Sequence, residues 1–98
     1  MTFICSARWT TTPDARDRVL DALMSLAAAS RQEPGNLAYV VHVSDEDPGV
    51  LQIFENYVDE AAFDAHVASE HFQRWAVREA IPLLVTRERA FSRSVDAV

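Results

Sequence analysis

The sequence predicts one small α+β domain, in which an antiparallel sheet is covered on one face by helices. The chain has 98 residues, which fits a single domain spanning residues 1–98. Its hydrophobic fraction of 49% and charged fraction of 24% are typical of a folded globule. Segments that alternate apolar and polar residues, as strands do, enclose segments with the helical period. Together these features favour the order βαββαβ.

The first strand and the first helix occupy the N-terminal third. Residues 2–11 alternate, with Phe3, Cys5 and Trp9 on one face, and we predict a strand there. Thr12 can cap a helix, and Pro13 suits its first position. An apolar stripe follows, which predicts an amphipathic helix over about residues 14–30.

A hairpin follows this helix. Pro34 and Gly35 end the helix, and residues 37–44 and 50–58 then form two strands joined by a polar turn. Both faces of the strand over residues 37–44 are largely apolar, which indicates that both are covered.

The last third completes the pattern. Asp59 is predicted to cap one helix and Ser69 a second short one, which ends at Pro82 before a strand over residues 85–95. The order is that of a ferredoxin-like split βαβ unit. Helices should cover one sheet face, and a second copy of the chain is expected to cover the other, giving a homodimer.

Charge and hydropathy exclude several classes of protein. The formal net charge is −6, and all nine basic residues are arginines without a run of them, so nucleic acid and anionic membranes are not expected partners. We find no secretory signal and no apolar stretch of about 18 residues, and we expect a cytoplasmic protein. The single cysteine, Cys5, is expected to be a packed core thiol.

Three segments carry a resemblance to a known family. Residues 30–39 read Ser-Arg-Gln-Glu-Pro-Gly-Asn-Leu-Ala-Tyr, residues 54–63 read Phe-Glu-Asn-Tyr-Val-Asp-Glu-Ala-Ala-Phe, and residues 66–72 read His-Val-Ala-Ser-Glu-His-Phe. Together they resemble the antibiotic biosynthesis monooxygenase family, including its quinol monooxygenase-like members. The resemblance implies a dimeric α+β barrel with a pocket between sheet and helices. It also implies oxidation of quinols or polycyclic phenols by O₂ with no metal or flavin cofactor.

His66, His71 and Glu55 are the candidate catalytic residues. His66 shares a helix face with Phe63, so it can point into the pocket and take a phenolic proton, with His71 assisting. The alternative is a histidine bonded to backbone or exposed at a helix end. Glu55 lies on an apolar strand face, where it would act as an acid, a base or a partner of His66, or else pair with Arg89 or Arg87.

A metal site is not expected. On one continuous helix, His66 and His71 point about 140° apart, so their imidazoles would not converge. A break at Ser69 would change this geometry. Neither a cysteine nor a paired carboxylate joins the two histidines in the sequence, so we predict no metal ligands.

Aromatic side chains on the last helices are candidates for binding the substrate. Phe63, Phe72 and Trp75 could form a flat apolar wall against an aromatic ring, or simply pack in the core.

Polar candidates for binding lie on the strands. Asn56 and Tyr57 are neighbours and therefore face opposite ways; Tyr57 is favoured because it shares a face with Glu55. Arg89 recurs with Arg87 and Arg93 on one face of the last strand, where they could hold an anionic substrate or pair across strands.

The leading hypothesis is a cofactor-independent monooxygenase that acts on a small aromatic substrate with O₂. One alternative is an isomerase that uses the same histidine and glutamate on a small carbonyl compound. Another is a ligand-binding or heme-binding dimer that catalyses nothing. Turnover without O₂ would identify the isomerase, and heme binding without turnover would identify the binding protein.

Overall fold

An antiparallel sheet of four strands carries the helices on one face. The computed structural model describes residues 1–96. The elements are β1 (Phe3–Thr11), α1 (Arg16–Ser30), β2 (Asn36–Val43), β3 (Val50–Tyr57), α2 (Glu60–Ala68), α3 (Phe72–Ala80) and β4 (Leu84–Arg93). The α3 segment is wound as a π-helix, and a 3₁₀ turn (Ile81–Leu83) joins it to β4. The predicted order and the ferredoxin-like fold class are therefore confirmed.

The strand order β2-β3-β1-β4 places β3 and β1 at the centre of the sheet. The register sets Glu55 on β3 directly opposite Cys5 on β1 and Tyr39 on β2. All three side chains are buried on the face that the helices cover. A carboxylate thus lies in the middle of an otherwise apolar surface.

The core lies between this face and the helices. Val19, Leu23 and Leu26 on α1 are fully buried against the sheet, and Trp9 and Ile53 meet them from β1 and β3. Each such side chain contributes about 1.5–3 kcal/mol of burial free energy. The period of 3.6 in α1 is what brings these positions to one side of the helix.

Two boundaries differ from the prediction by two residues. The first helix begins at Arg16, because the backbone N–H of Ala15 donates to Oγ1 of Thr12 at 3.3 Å and a turn precedes the helix. Thr12 therefore caps that turn. The last strand ends at Arg93, where it pairs with Phe3, the first residue of β1.

Ser69 separates α2 from α3. Its backbone is extended, with φ −68° and ψ 155°, so the helix cannot continue through it. The Ser69 Oγ donates to the carbonyl of His66 at 2.6 Å and accepts the N–H of Phe72 at 3.1 Å. The predicted cap at Ser69 is confirmed, as is that at Asp59, which accepts the N–H of Ala62 at 2.9 Å.

The second face of the sheet is left open by the helices. Val40 on β2 and Phe54 on β3 pair across this face, with exposed fractions of 49% and 36%. Both faces of β2 were predicted to be covered, and the structure shows this for one of them: Tyr39 is buried among the helices, whereas Val40 on the opposite face is exposed in the single chain. Within residues 1–96, no helix is long and apolar enough to cross a membrane.

Candidate functional site

Two histidines converge on one carboxylate beneath the helices. Oε2 of Glu33 lies 2.8 Å from Nδ1 of His66 and 2.5 Å from Nε2 of His71. His66 comes from α2, His71 from the link between α2 and α3, and Glu33 from the loop after α1. The His66 side chain is only 1% exposed, whereas those of Glu33 and His71 are 14% and 25% exposed. We call these three residues the His-Glu cluster.

The prediction that the two histidines do not converge is wrong. It assumed a continuous helix, whereas the extended backbone at Ser69 redirects the chain before His71. Because of this break, both rings contact the same carboxylate oxygen, with their centroids 6.1 Å apart.

Gly35 holds the loop that supplies Glu33 close to α2. A Cβ at this position would lie 2.5 Å from Cβ of Ala62, which is too close for any side chain. The carbonyl of Gly35 also accepts the N–H of Val58 at 2.9 Å, tying the loop to the end of β3. Gly35, in the loop after α1, is therefore what allows this close approach of the loop to α2.

The other edge of the His66 ring faces a second carboxylate. Nε2 of His66 lies 3.5 Å from Oε1 of Glu55, and the hydroxyl of Tyr57 donates to the same oxygen at 2.8 Å. Within residues 1–96, no arginine nitrogen lies within ion-pair distance of Glu55, so the structure favours the His66 partnership over the alternative pairing with Arg89.

Burial shifts the pKa values of Glu55 and His66 in opposite directions. It raises the pKa of Glu55 to about 7, against the opposing effect of the Tyr57 hydroxyl. It also lowers the pKa of His66, although the hydrogen bond to Glu33 opposes this. Near neutral pH, His66 is thus largely neutral while Glu55 exchanges a proton. A neutral ring that donates from Nδ1 to Glu33 keeps the lone pair of Nε2 directed toward Glu55.

A small cavity lies beside this pair, between the sheet and the helices. Its volume is about 10 Å³, which is room for one water molecule. The lining includes Trp9, Glu55, Phe63, His66, Phe72 and Arg89. An aromatic ring therefore fits only if side chains at the mouth move.

The mouth of the cavity is formed by arginines of β4. Arg87 and Arg89 both line it and are exposed, and neither forms an ion pair among the described residues. Arg93 instead pairs with Glu60 at 2.7 Å. Two unpaired guanidinium groups thus flank the opening.

Three predicted binding residues lie outside this cavity. Tyr57 is buried behind Glu55 and reaches the site only through its hydroxyl. Trp75 borders a separate surface hollow beside His71. Asn56 is buried on the opposite face of the sheet, because neighbouring strand residues point to opposite faces.

The sequence interpretation missed Glu33 as a site residue. Glu33 directly precedes the Pro34-Gly35 pair, and its burial depends on how the loop packs against α2, which the sequence pattern does not show. Cys5 also borders the cavity, but burial and the charge of Glu55 raise its thiol pKa to about 12. That thiol is a packed core group, as expected.

Comparisons with known proteins agree on one family. The family model described as antibiotic biosynthesis monooxygenase matches residues 2–78. A crystal structure described as an antibiotic biosynthesis monooxygenase is 32% identical with a TM-score of 0.89, covering 98% of this chain and 100% of that one.

Two further solved structures are similar over almost their whole length. Rv0793 from Mycobacterium tuberculosis is 26% identical with a TM-score of 0.90, covering 99% of this chain and 98% of its own. PA3566 from Pseudomonas aeruginosa is 27% identical with a TM-score of 0.89, covering 97% and 95%. No curated protein matches the chain in sequence at a significant level.

Proposed function

Since the chain belongs to the antibiotic biosynthesis monooxygenase family, we propose that it oxidises a quinol or polycyclic phenol with O₂, without a metal or flavin cofactor. The observation that carries this proposal is the position of His66. It is a buried imidazole held by Glu33 on one side and facing Glu55 and an aromatic-lined cavity on the other.

Glu33 prepares His66 to act as a base. A carboxylate only accepts hydrogen bonds, so its contact with Nδ1 fixes the proton there and leaves Nε2 free. Nε2 then takes the phenolic proton of the substrate, and the O–H bond breaks. The resulting phenolate is electron-rich and passes an electron to O₂.

The remaining steps balance without an outside reductant. The phenoxyl radical and superoxide combine, so that a C–O bond forms at a ring carbon that carries hydrogen. That C–H bond then breaks and the O–O bond cleaves, and the departing oxygen leaves as water with the C–H proton and the phenolic proton. The substrate supplies all four electrons and becomes a quinone. Water formation needs a proton donor inside the cavity. Glu55 has this role, since its pKa of about 7 lets it give and regain a proton near neutral pH.

Substrate entry requires the mouth to open. The closed cavity of about 10 Å³ admits no aromatic ring, but Arg87 and Arg89 lie on an edge strand and are exposed. Their unpaired guanidinium groups would hold the phenolate or another anionic group of the substrate. Phe63 and Phe72 would then pack against the ring.

Oxygen consumption tests the proposal. Chelator-treated protein would be assayed with hydroquinones, anthrones and catechols, alongside the variants His66→Gln and His42→Gln. His42 is an exposed histidine on the open face of the sheet and serves as the matched control. We expect uptake above the uncatalysed rate that falls only in His66→Gln. A folded protein that consumes no O₂ with any of these compounds would refute the proposal.

A second candidate is an isomerase acting on a small carbonyl compound. The small cavity favours it, as does the buried pair of His66 and Glu55, in which Glu55 has a pKa of about 7. Such an enzyme would turn over equally well without O₂, whereas the oxygenase would stop.

We also propose that a second copy of this chain covers the open face of the sheet. The support is the exposed apolar pair of Val40 and Phe54 on that face, together with the dimeric barrel that the family resemblance implies. The cavity lies on the other face, so each protomer would carry its own site.

A further inference from the structure

The His-Glu cluster joins three metal-ligating groups at one point. Nδ1 of His66, Nε2 of His71 and a carboxylate oxygen of Glu33 all lie within 4.8 Å of one another. We propose that these three residues bind one first-row divalent transition cation, such as Zn²⁺ or Co²⁺. The binding proposal rests on this geometry and is independent of the proposed reaction.

The donor set suits such an ion. Two imidazoles and one carboxylate are common ligands of zinc and of other first-row cations. Tetrahedral ligands placed about 2.0–2.2 Å from a cation lie about 3.3–3.6 Å apart. The observed distances of Oε2 to His66 and His71, 2.8 and 2.5 Å, are shorter, so the ligands must move apart to admit the ion. Since His71 lies at the partly exposed rim and Glu33 on a loop, a small outward shift accommodates the ion.

An unpartnered atom gives independent support. Oε1 of Glu33 is buried and accepts no hydrogen bond from residues 1–96. A buried carboxylate oxygen without a donor is costly, because it has lost its water without a replacement. A cation bound to both oxygens of Glu33 would remove that cost.

A second layer of contacts is also present. A histidine that binds metal through one nitrogen donates from its other nitrogen to a carboxylate or carbonyl, which orients the ring. Nε2 of His66 faces Oε1 of Glu55 at 3.5 Å, and the Tyr57 hydroxyl holds that carboxylate in place. Glu55 would therefore be the outer partner of the bound His66.

Two surface hollows give access to the cluster. One, of about 240 Å³, is lined by Glu33, Gly35 and His66. The other, of about 270 Å³, is lined by His71 and Trp75. A hydrated cation can thus approach from solvent, and water can complete its coordination.

Cation binding would oppose the proposed reaction. A cation on Nδ1 of His66 displaces the proton from that nitrogen, so the neutral ring carries its proton on Nε2. The lone pair that would accept a phenolic proton is then gone. This consequence, inhibition by the cation, rests on the proposed function; the binding itself does not.

Cobalt titration tests the site. Tag-free, chelator-treated protein would be titrated with Co²⁺ and followed by its visible d–d absorption, then by competition with Zn²⁺. We expect one ion per chain. Glu33→Gln and His71→Gln should each weaken binding at least about 10-fold, whereas His42→Gln should bind as the wild type does. Circular dichroism would confirm that each variant is folded.

Each outcome decides the proposal. Absence of a Co²⁺ band in folded wild-type protein would overturn it, as would binding that survives in both folded cluster variants, because the ion would then lie elsewhere. O₂ uptake, assayed separately on chelated protein, keeps the two proposals distinguishable. Binding without any uptake would leave the cation site standing and remove the oxygenase.

Discussion

Nδ1 of His66 lies 2.8 Å from Oε2 of Glu33, so a carboxylate in the loop after α1 sets the tautomer of a histidine buried in α2. These residues are 33 positions apart and meet only because Gly35 lets the loop approach Ala62. The pair has the arrangement of a base and its orienting acid. It also means that Glu33 can affect the reaction without touching the substrate.

Glu33→Gln should lower kcat of the O₂-consuming reaction while leaving KM nearly unchanged. A glutamine carries no charge to stabilise the imidazolium that forms when His66 takes a proton, and its amide can also present a donor to Nδ1. We expect a loss of about 100-fold, within the range for general base catalysis. The measurement is steady-state O₂ uptake on chelated protein.

Glu46→Gln is a suitable control, since Glu46 is exposed in the turn between β2 and β3 and should change nothing. An unchanged kcat in a folded Glu33→Gln variant would contradict the positioning role of Glu33.

Glu55→Gln should make stability less dependent on pH. Burial raises the pKa of Glu55 from 4.5 to about 7 in the folded state, so its protonated form favours folding. The contribution of protonated Glu55 to the free energy of unfolding is fully present below about pH 4.5 and is lost as the pH rises through about 7. At pH 8 the variant should therefore be more stable than wild type, by on the order of 2 kcal/mol.

The groups that face Glu55 must be considered in this test. They are His66 from α2, Tyr57 from its own strand, Cys5 from β1, Tyr39 from β2, Arg89 from β4 and Glu33 from the loop after α1. Burial lowers the pKa of His66, so this histidine destabilises the fold as the pH falls. Urea unfolding from pH 5 to 8 on chelated protein, with His66→Gln as a parallel variant, separates the two. A Glu55→Gln variant less stable than wild type at pH 8 would contradict the prediction.

The strands and their faces could be predicted from the sequence, whereas the cluster could not. Alternation of apolar and polar residues around Phe3, Cys5 and Trp9 specifies a half-buried strand. The same two-residue period in β3 correctly placed Asn56 and Tyr57 on opposite faces. Such patterns are local, so they can be recognised in the sequence. The burial of Glu33 depends instead on a contact between a loop and α2, which no period encodes.

The convergence of His66 and His71 could not be predicted from their spacing in the sequence. Their spacing predicts divergence on a continuous helix, and the ψ of 155° at Ser69 reverses that result. Ser69 could be recognised as a cap from its sequence context. The direction in which the chain leaves it depends on how α3 packs on α1.

Ser69→Ala should destabilise the fold and loosen the His-Glu cluster. The Ser69 Oγ donates to the carbonyl of His66 and accepts the N–H of Phe72, and alanine can do neither. Loss of such a cap costs about 1 kcal/mol. Urea unfolding measures this loss, and Co²⁺ titration should show weaker binding because His71 is held less firmly.

Ser92→Ala, an exposed change on β4, is the control and should alter neither quantity. If Ser69→Ala lowered stability but left Co²⁺ affinity unchanged, the break at Ser69 would not be what positions His71.

Phe54→Asp should convert the expected dimer into monomers. Phe54 is 36% exposed on the open face of the sheet, beside Val40, and a carboxylate there could not be buried against a second copy without a partner. Light scattering after size exclusion at micromolar concentration gives the mass directly.

Val77→Asp is the matched control, because Val77 is 41% exposed but lies on α3, on the helical side. Wild-type protein should elute at twice the chain mass, the Val77→Asp variant likewise, and Phe54→Asp at one chain mass with unchanged circular dichroism. A wild-type protein already monomeric at this concentration would contradict the proposal that a second copy covers the open face.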